Sequence, residues 1–336
     1  MWRWISAEPT NGKERAAAGG DLRRVYRART MADTNKKKKE NLLRGAVGGL
    51  TPKTLAPVFF GAGALLLLLR VWQTQSLMDP ETGFFISREH PSILVFYVLA
   101  VALLALPPVG FYLGRQEPVG RIRVSRSVPH GVACLLSGAA LGYELLARLP
   151  ELTSAPDAAS ITVSAAAVQR VLQAYLLFTA LSAVCFILDG VAFLTGSAFG
   201  EKLRILRLAP VFWAFFRTVR FFSVTASYLH ATQLFLTIFS SAVLMLFLFY
   251  YARKTANILP QDNTAGFLAS GVISAVLLFT VGVTDLLLQL TKHTAFPYCG
   301  FTPFSLTLGL FCVTALGLAK KAAAEDTIPT EPLPEE

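Results

Sequence analysis

The stretch Ala231-Thr-Gln-Leu-Phe-Leu-Thr-Ile-Phe-Ser-Ser-Ala-Val-Leu-Met-Leu-Phe-Leu-Phe-Tyr-Tyr251 carries no charge and has no solvated face. As a helix it rises about 30 Å, the thickness of a bilayer's hydrocarbon core. Leu55 to Trp72 reads the same way, and so do six other stretches. The expected spans are 54–73, 93–114, 129–148, 170–196, 209–229, 231–251, 264–291 and 302–319. This predicts an all-α, polytopic membrane helical bundle of about eight transmembrane helices. Membrane strands would alternate apolar and polar residues, whereas these runs are continuous.

The composition agrees. The chain is 54% hydrophobic and 15% charged, with a mean hydropathy of +0.52. A soluble domain usually carries about 25% charged residues. The four cysteines, Cys134, Cys185, Cys299 and Cys312, show no zinc spacing. They read as small apolar side chains. No metal or cofactor is expected.

The net charge of +10 is concentrated at one end, with residues 1–53 contributing +8. The run Lys36-Lys37-Lys38-Lys39 precedes the first span and suits anionic lipid headgroups at the membrane surface. Nothing around it suggests nucleic acid, because no aromatic side chains are interleaved with it. Residues 1–53 are expected to be a basic, disordered, cytoplasmic segment. Met31 opens a plausible native start, so residues 1–30 are read as an upstream translation artefact or, at most, a disordered tail. Residues 54–319 form the transmembrane domain. Residues 320–336 are expected to be an acidic, disordered cytoplasmic tail.

Orientation follows from the distribution of basic residues. With eight spans and the N-terminus inside, the inner segments hold 24 Lys/Arg and the outer side five. Arg70 and Arg148 fall in the outer count. Both termini are therefore expected in the cytoplasm, with the protein in the cell membrane. The near-absence of a loop around Tyr228–His230 leaves seven spans as the competing count.

Arg217 and Arg220 stand out in Val211-Phe-Trp-Ala-Phe-Phe-Arg-Thr-Val-Arg-Phe-Phe222, near the middle of span five. Their spacing of three puts both on one helix face. A central arginine costs at least about 2.5–3.5 kcal/mol to insert, so both should face the bundle interior and have partners. Asp189 in span four lies at the depth of Arg217 and is the expected partner. Glu144 in span three is within reach of Arg220. Arg217, Arg220, Asp189 and Glu144 are thus the candidate intramembrane polar site, either an anion or proton site or a cluster that fixes helix register. Asp285 and His230 are weaker candidates, the first read as solvated near the outer end of span seven. Tyr228, Tyr250, Tyr251, Trp72 and Tyr298 read as an aromatic belt. Gly138 and Gly142 form a GxxxG in span three, and Gly61 and Gly63 add small residues to span one.

There is no phosphate loop, no GxSxG elbow and no HExxH helix. Three functional classes remain. A permease or permease subunit for a small, anionic solute leads, since a midplane arginine pair needs a reason. A non-transporting sensor, regulator or assembly scaffold, acting with other membrane subunits, is the alternative. An intramembrane enzyme on a lipid-like substrate comes last, because few acidic or histidine residues converge.

Overall fold

The computed structural model describes residues 52–79, 85–87, 90–113, 122, 124–153, 165–197, 205–223, 231–256, 264–292 and 303–325. Continuous apolar sequence gives continuous helix. Eight α-helices are described: α1 (Pro52–Ser76), α2 (Pro91–Leu113), α3 (Val128–Arg148), α4 (Ala165–Thr195), α5 (Ala209–Ser223), α6 (Ala231–Ala256), α7 (Thr264–Lys292) and α8 (Pro303–Glu325). Six of them, α1 to α4, α6 and α7, are long and apolar enough to cross a membrane, and Pro303–Ala319 of α8 is a shorter apolar helix. The chain is an all-α bundle of membrane type, a multi-pass membrane protein. Its α5 is the exception. Its 15 described residues extend about 22 Å. The rest of the expected span 209–229 lies outside the described residues, as do residues 1–51 and 326–336.

Helices α3 to α8 pack in a closed circuit, each on the next, with α8 returning to α3. The α1–α2 pair docks on the outside of α7. Accordingly α7 is the most enclosed of the six long helices, 78% buried over its apolar window against 22–44% for the other five. Two cores result. Trp213, Phe247, Phe267, Phe304 and Phe311 fill the circuit. Leu66, Phe96, Phe111 and Val272 seal α1 and α2 against α7. Outward faces such as Leu65, Leu68, Val98 and Val101 stay exposed, as lipid-facing side chains do.

The tightest contact joins α3 and α4. A Cβ on Gly131 would come within 3.0 Å of the Gly190 carbonyl, and one on Gly190 within 3.0 Å of the Gly131 carbonyl. Gly138 likewise lies against the Ala183 carbonyl. Gly142 has nothing within 4 Å, so the GxxxG pair does not act as a unit. Gly63 meets Val276 on α7, whereas Gly61 faces open space. Beyond Thr195 the chain turns at Gly196, whose φ of +70° suits glycine. The Ser197 N–H closes back on the Ala192 carbonyl at 3.2 Å. Ser127, just before α3, donates its N–H to the Phe193 carbonyl at 2.8 Å, tying the two helix ends together.

Pro107 and Pro108 do not break α2, which runs on to Leu113. Beyond α1, Met78 and Phe85 form an antiparallel bridge, and the Ile86 N–H donates to the Leu77 carbonyl at 2.8 Å.

Candidate functional site

The helices alternate in direction, so Ser76, Pro91, Arg148, Ala231, Lys292 and Pro303 mark one end of the bundle, here the upper end. Three polar groups are built into the bundle.

The first surrounds α5. Arg217 is buried and donates from Nη1 to Ser241 Oγ on α6 at 2.7 Å. Its guanidinium carbon lies 4.5 Å from the centre of the Phe304 ring and 5.3 Å from that of Phe221. Aromatic faces thus meet a buried cation. Arg220, one turn on, donates to Glu151 at 2.7 Å and sits 5.3 Å from the Tyr175 ring. Tyr175 in turn donates to Glu144 at 3.1 Å. Glu144 also accepts from Arg148, whose Nη1 reaches Glu151 at 2.9 Å. Arg148, Glu144, Glu151, Tyr175 and Arg220 therefore form one continuous network near the upper end.

The second group joins α1, α6 and α7. Arg70 is fully buried and donates to Gln233 Oε1 at 3.0 Å. The same amide donates from Nε2 to Asp285 Oδ1 at 3.0 Å. A single side-chain amide thereby links a guanidinium to a carboxylate. Gln73, one turn along α1 from Arg70, is also fully buried and donates to the Ser92 carbonyl at 2.9 Å.

The third group lies in the lower half. Asp189 accepts from Arg207 Nη2 at 2.8 Å and from Nε at 3.1 and 3.2 Å. Arg207 belongs to a short 3-10 turn, Leu206–Leu208, leading into α5. Burial alone would lower its guanidinium, but the hydrogen bonds and charge of Asp189 outweigh that and hold it above its ordinary value. Nearby, His130 is fully buried between Thr314 Oγ1 and Tyr251 Oη, each 3.0 Å from a ring nitrogen. The Thr314 hydroxyl is already donated to the backbone, at 3.0 Å from both Leu310 O and Phe311 O. With its hydrogen on the backbone, Thr314 accepts from His130 Nδ1–H. That leaves Nε2 as the acceptor for the Tyr251 hydroxyl.

These placements change the expected site. Asp189 pairs with Arg207 rather than Arg217, because the turn before α5 brings Arg207 to the carboxylate first. Arg220 takes Glu151 rather than Glu144, although all three belong to one network. Asp285, read as solvated, is buried at 4% exposure. Tyr251, assigned to the aromatic belt, is buried against His130. Trp72 is exposed as expected. His230, Tyr228, Tyr298 and Cys299 lie outside the described residues, while Cys134, Cys185 and Cys312 are buried free thiols.

Sequence reasoning passed over Arg70, Arg148, Arg207 and His130. Counting Arg70 and Arg148 as loop charges hid them, though both precede a helix end by at most two turns. Among the described residues, no three of His, Cys, Asp and Glu are placed to hold a metal ion. The chain matches no family model, no curated protein and no solved structure, so its function rests on its own side chains.

Proposed function

We propose that this multi-pass membrane protein is a permease, or the membrane subunit of one, for a small, anionic solute. One observation carries the reading. Two buried arginines from different helices, Arg70 on α1 and Arg217 on α5, both donate to α6, at Gln233 and Ser241. Those positions are eight residues apart, about 12 Å along the helix. Thr237 lies between them on the same buried face. Positive charge held inside a bundle at two depths on one helix suits a path for an anion. Arg220 and Glu144, toward α3 and α4, act in this reading as the support that holds Arg217 in register. Asp189 with Arg207 belongs to the lower half and locks α4 to the entry of α5.

Charge asymmetry supports the orientation expected above, with the upper end outside and both termini cytoplasmic, and the cell membrane is the proposed location. Lipid with anionic headgroups is the proposed partner of the basic N-terminal segment, and other membrane subunits fit the permease-subunit form.

The test is a cysteine-accessibility scan along α6 in a background without native cysteines. Labelling of Thr237→Cys and Ser241→Cys by a water-soluble thiol reagent, blocked by substrate-like anions, is expected. Complete protection of both positions in intact cells and in open vesicles would overturn the permease reading in favour of a scaffold. That second reading has its own support, since Asp189–Arg207 and the Glu144–Arg148–Glu151–Arg220 network neutralise themselves.

A further inference from the structure

The junction of α1, α2, α6 and α7 holds unspent hydrogen-bonding capacity on both sides of the ledger. Arg70 is fully buried, yet only Nη2 has a protein acceptor, and Nε and Nη1 have none. Gln73 is fully buried, and its Nε2 is committed to Ser92, while its Oε1 has no donor. The two residues stand three apart on α1 and so share a face. Both are turned toward α2, where Gln73 meets Ser92 and the Arg70 guanidinium carbon lies 5.4 Å from the Phe96 ring centre. Gln233 then connects the guanidinium to Asp285.

Buried polar groups are almost always satisfied, and in a membrane no bulk water stands by to do it. Here cationic donors and an amide acceptor are left over three residues apart on one helix face. A single chemical group cannot serve both unless it accepts at one atom and donates at another. We propose that this junction is the subsite for a small carboxylic acid that carries an adjacent amino or hydroxyl group. The carboxylate takes one free edge of the Arg70 guanidinium, at Nε or at Nη1, and the neighbouring ammonium or hydroxyl donates to Gln73 Oε1. Asp285 balances the Arg70 charge through Gln233, so the junction is near neutral before the ligand enters. A hydroxy acid enters as the small anion of the permease reading, and a short amino acid presents the same carboxylate with an ammonium in place of the hydroxyl. The inference rests on the permease reading and gives its solute a chemical class and a place.

The test uses the full chain purified in detergent, with thermal unfolding followed by tryptophan fluorescence. The probes are glycine, lactate, acetate, methylammonium and chloride at matched ionic strength. Glycine and lactate should raise the unfolding midpoint, acetate less, and methylammonium and chloride not at all. Arg70→Lys keeps the positive charge but loses the fork of donors, and should weaken apparent glycine and lactate affinity at least tenfold. Gln73→Leu should reduce both to the acetate level, and it serves on its own should Arg70→Lys fail to fold. No shift with any carboxylate beyond chloride, the signature of ordered water alone, would overturn the proposal. So would a glycine shift that survives both variants. The binding measurement needs no transport. Binding without uptake in vesicles would sink the permease reading and leave the subsite standing, and uptake without binding at Arg70 would do the reverse.

Discussion

Asp189 is clamped by Arg207, 18 residues further along the chain, through three nitrogen–oxygen contacts of 2.8–3.2 Å. Both side chains are almost wholly buried. Removing one partner should therefore leave an uncompensated charge in a medium that cannot solvate it. Asp189→Asn or Arg207→Gln alone should destabilise the purified protein by about 3–5 kcal/mol. Exchanging the two residues should recover much of that loss, whereas exchanging Asp189 with Arg217 should recover none. Detergent-solubilised unfolding midpoints of the four variants would decide it, and rescue by the Arg217 exchange would refute the assignment.

The two arginines on α5 should differ in their energetic weight. Arg220 and Glu151 have side chains 21% and 38% exposed, where a salt bridge contributes about 0–1 kcal/mol. Arg217 is buried and hydrogen-bonded, with its charge over aromatic rings. Loss of a hydrogen bond to a charged group costs about 1.5–3 kcal/mol. Arg217→Gln is thus expected to lower stability clearly more than Arg220→Gln when both are unfolded under the same conditions. Equal losses would contradict the buried setting of Arg217.

Close packing of α3 on α4 should tolerate no added methyl where the backbones meet. Gly190→Ala would set a Cβ 3.0 Å from the Gly131 carbonyl oxygen and 2.8 Å from Leu135 Cγ. Overpacking of this kind costs about 1–3 kcal/mol. Gly142→Ala enters open space and should be neutral, or stabilising by up to about 1 kcal/mol through helix propensity. A Gly142 variant more damaging than the Gly190 variant would show that the GxxxG pair, not Gly131 with Gly190, makes the essential contact.

His130 should carry its proton on Nδ1. That tautomer follows when the Thr314 hydroxyl hydrogen is given to the backbone, leaving Nε2 to face the Tyr251 hydroxyl and the Cys134 thiol. Nitrogen-15 chemical shifts of a histidine-labelled sample should show the Nδ1–H tautomer for one buried ring. Tyr251→Phe would remove the donor to Nε2 and cost about 1–3 kcal/mol. An Nε2–H signal for that ring would overturn the assignment.

Topology can be read at two exposed positions at opposite ends of the bundle. Thr153, just beyond α3, should be labelled from outside intact cells once changed to cysteine. Arg126, just before α3, should be labelled only after the membrane is opened. The reverse pattern would invert the proposed orientation.

Helix existence and order were legible in the chain because apolarity along a segment is a local property. Ala231–Tyr251 could be nothing but a membrane helix, and α6 covers it entirely. The requirement that Arg217 turn inward was also legible, since the cost of a guanidinium in lipid depends on depth and not on neighbours. Its partner was not. Depth alone matched Asp189 to Arg217, but pairing depends on rotation about each helix axis and on the short Leu206–Leu208 turn, which carries Arg207 to the carboxylate. Arg70 shows the same limit from the other side. Near a span end it counts as an outer charge, and only the packing of α2 and α7 against α1, with Gln233 of α6 reaching the guanidinium, encloses it. What the amino acids settled unaided is which segments enter lipid and which charges must avoid it. Which charges meet was left to the three-dimensional arrangement, because contact between helices is set by their mutual rotation and tilt, and no single segment encodes either.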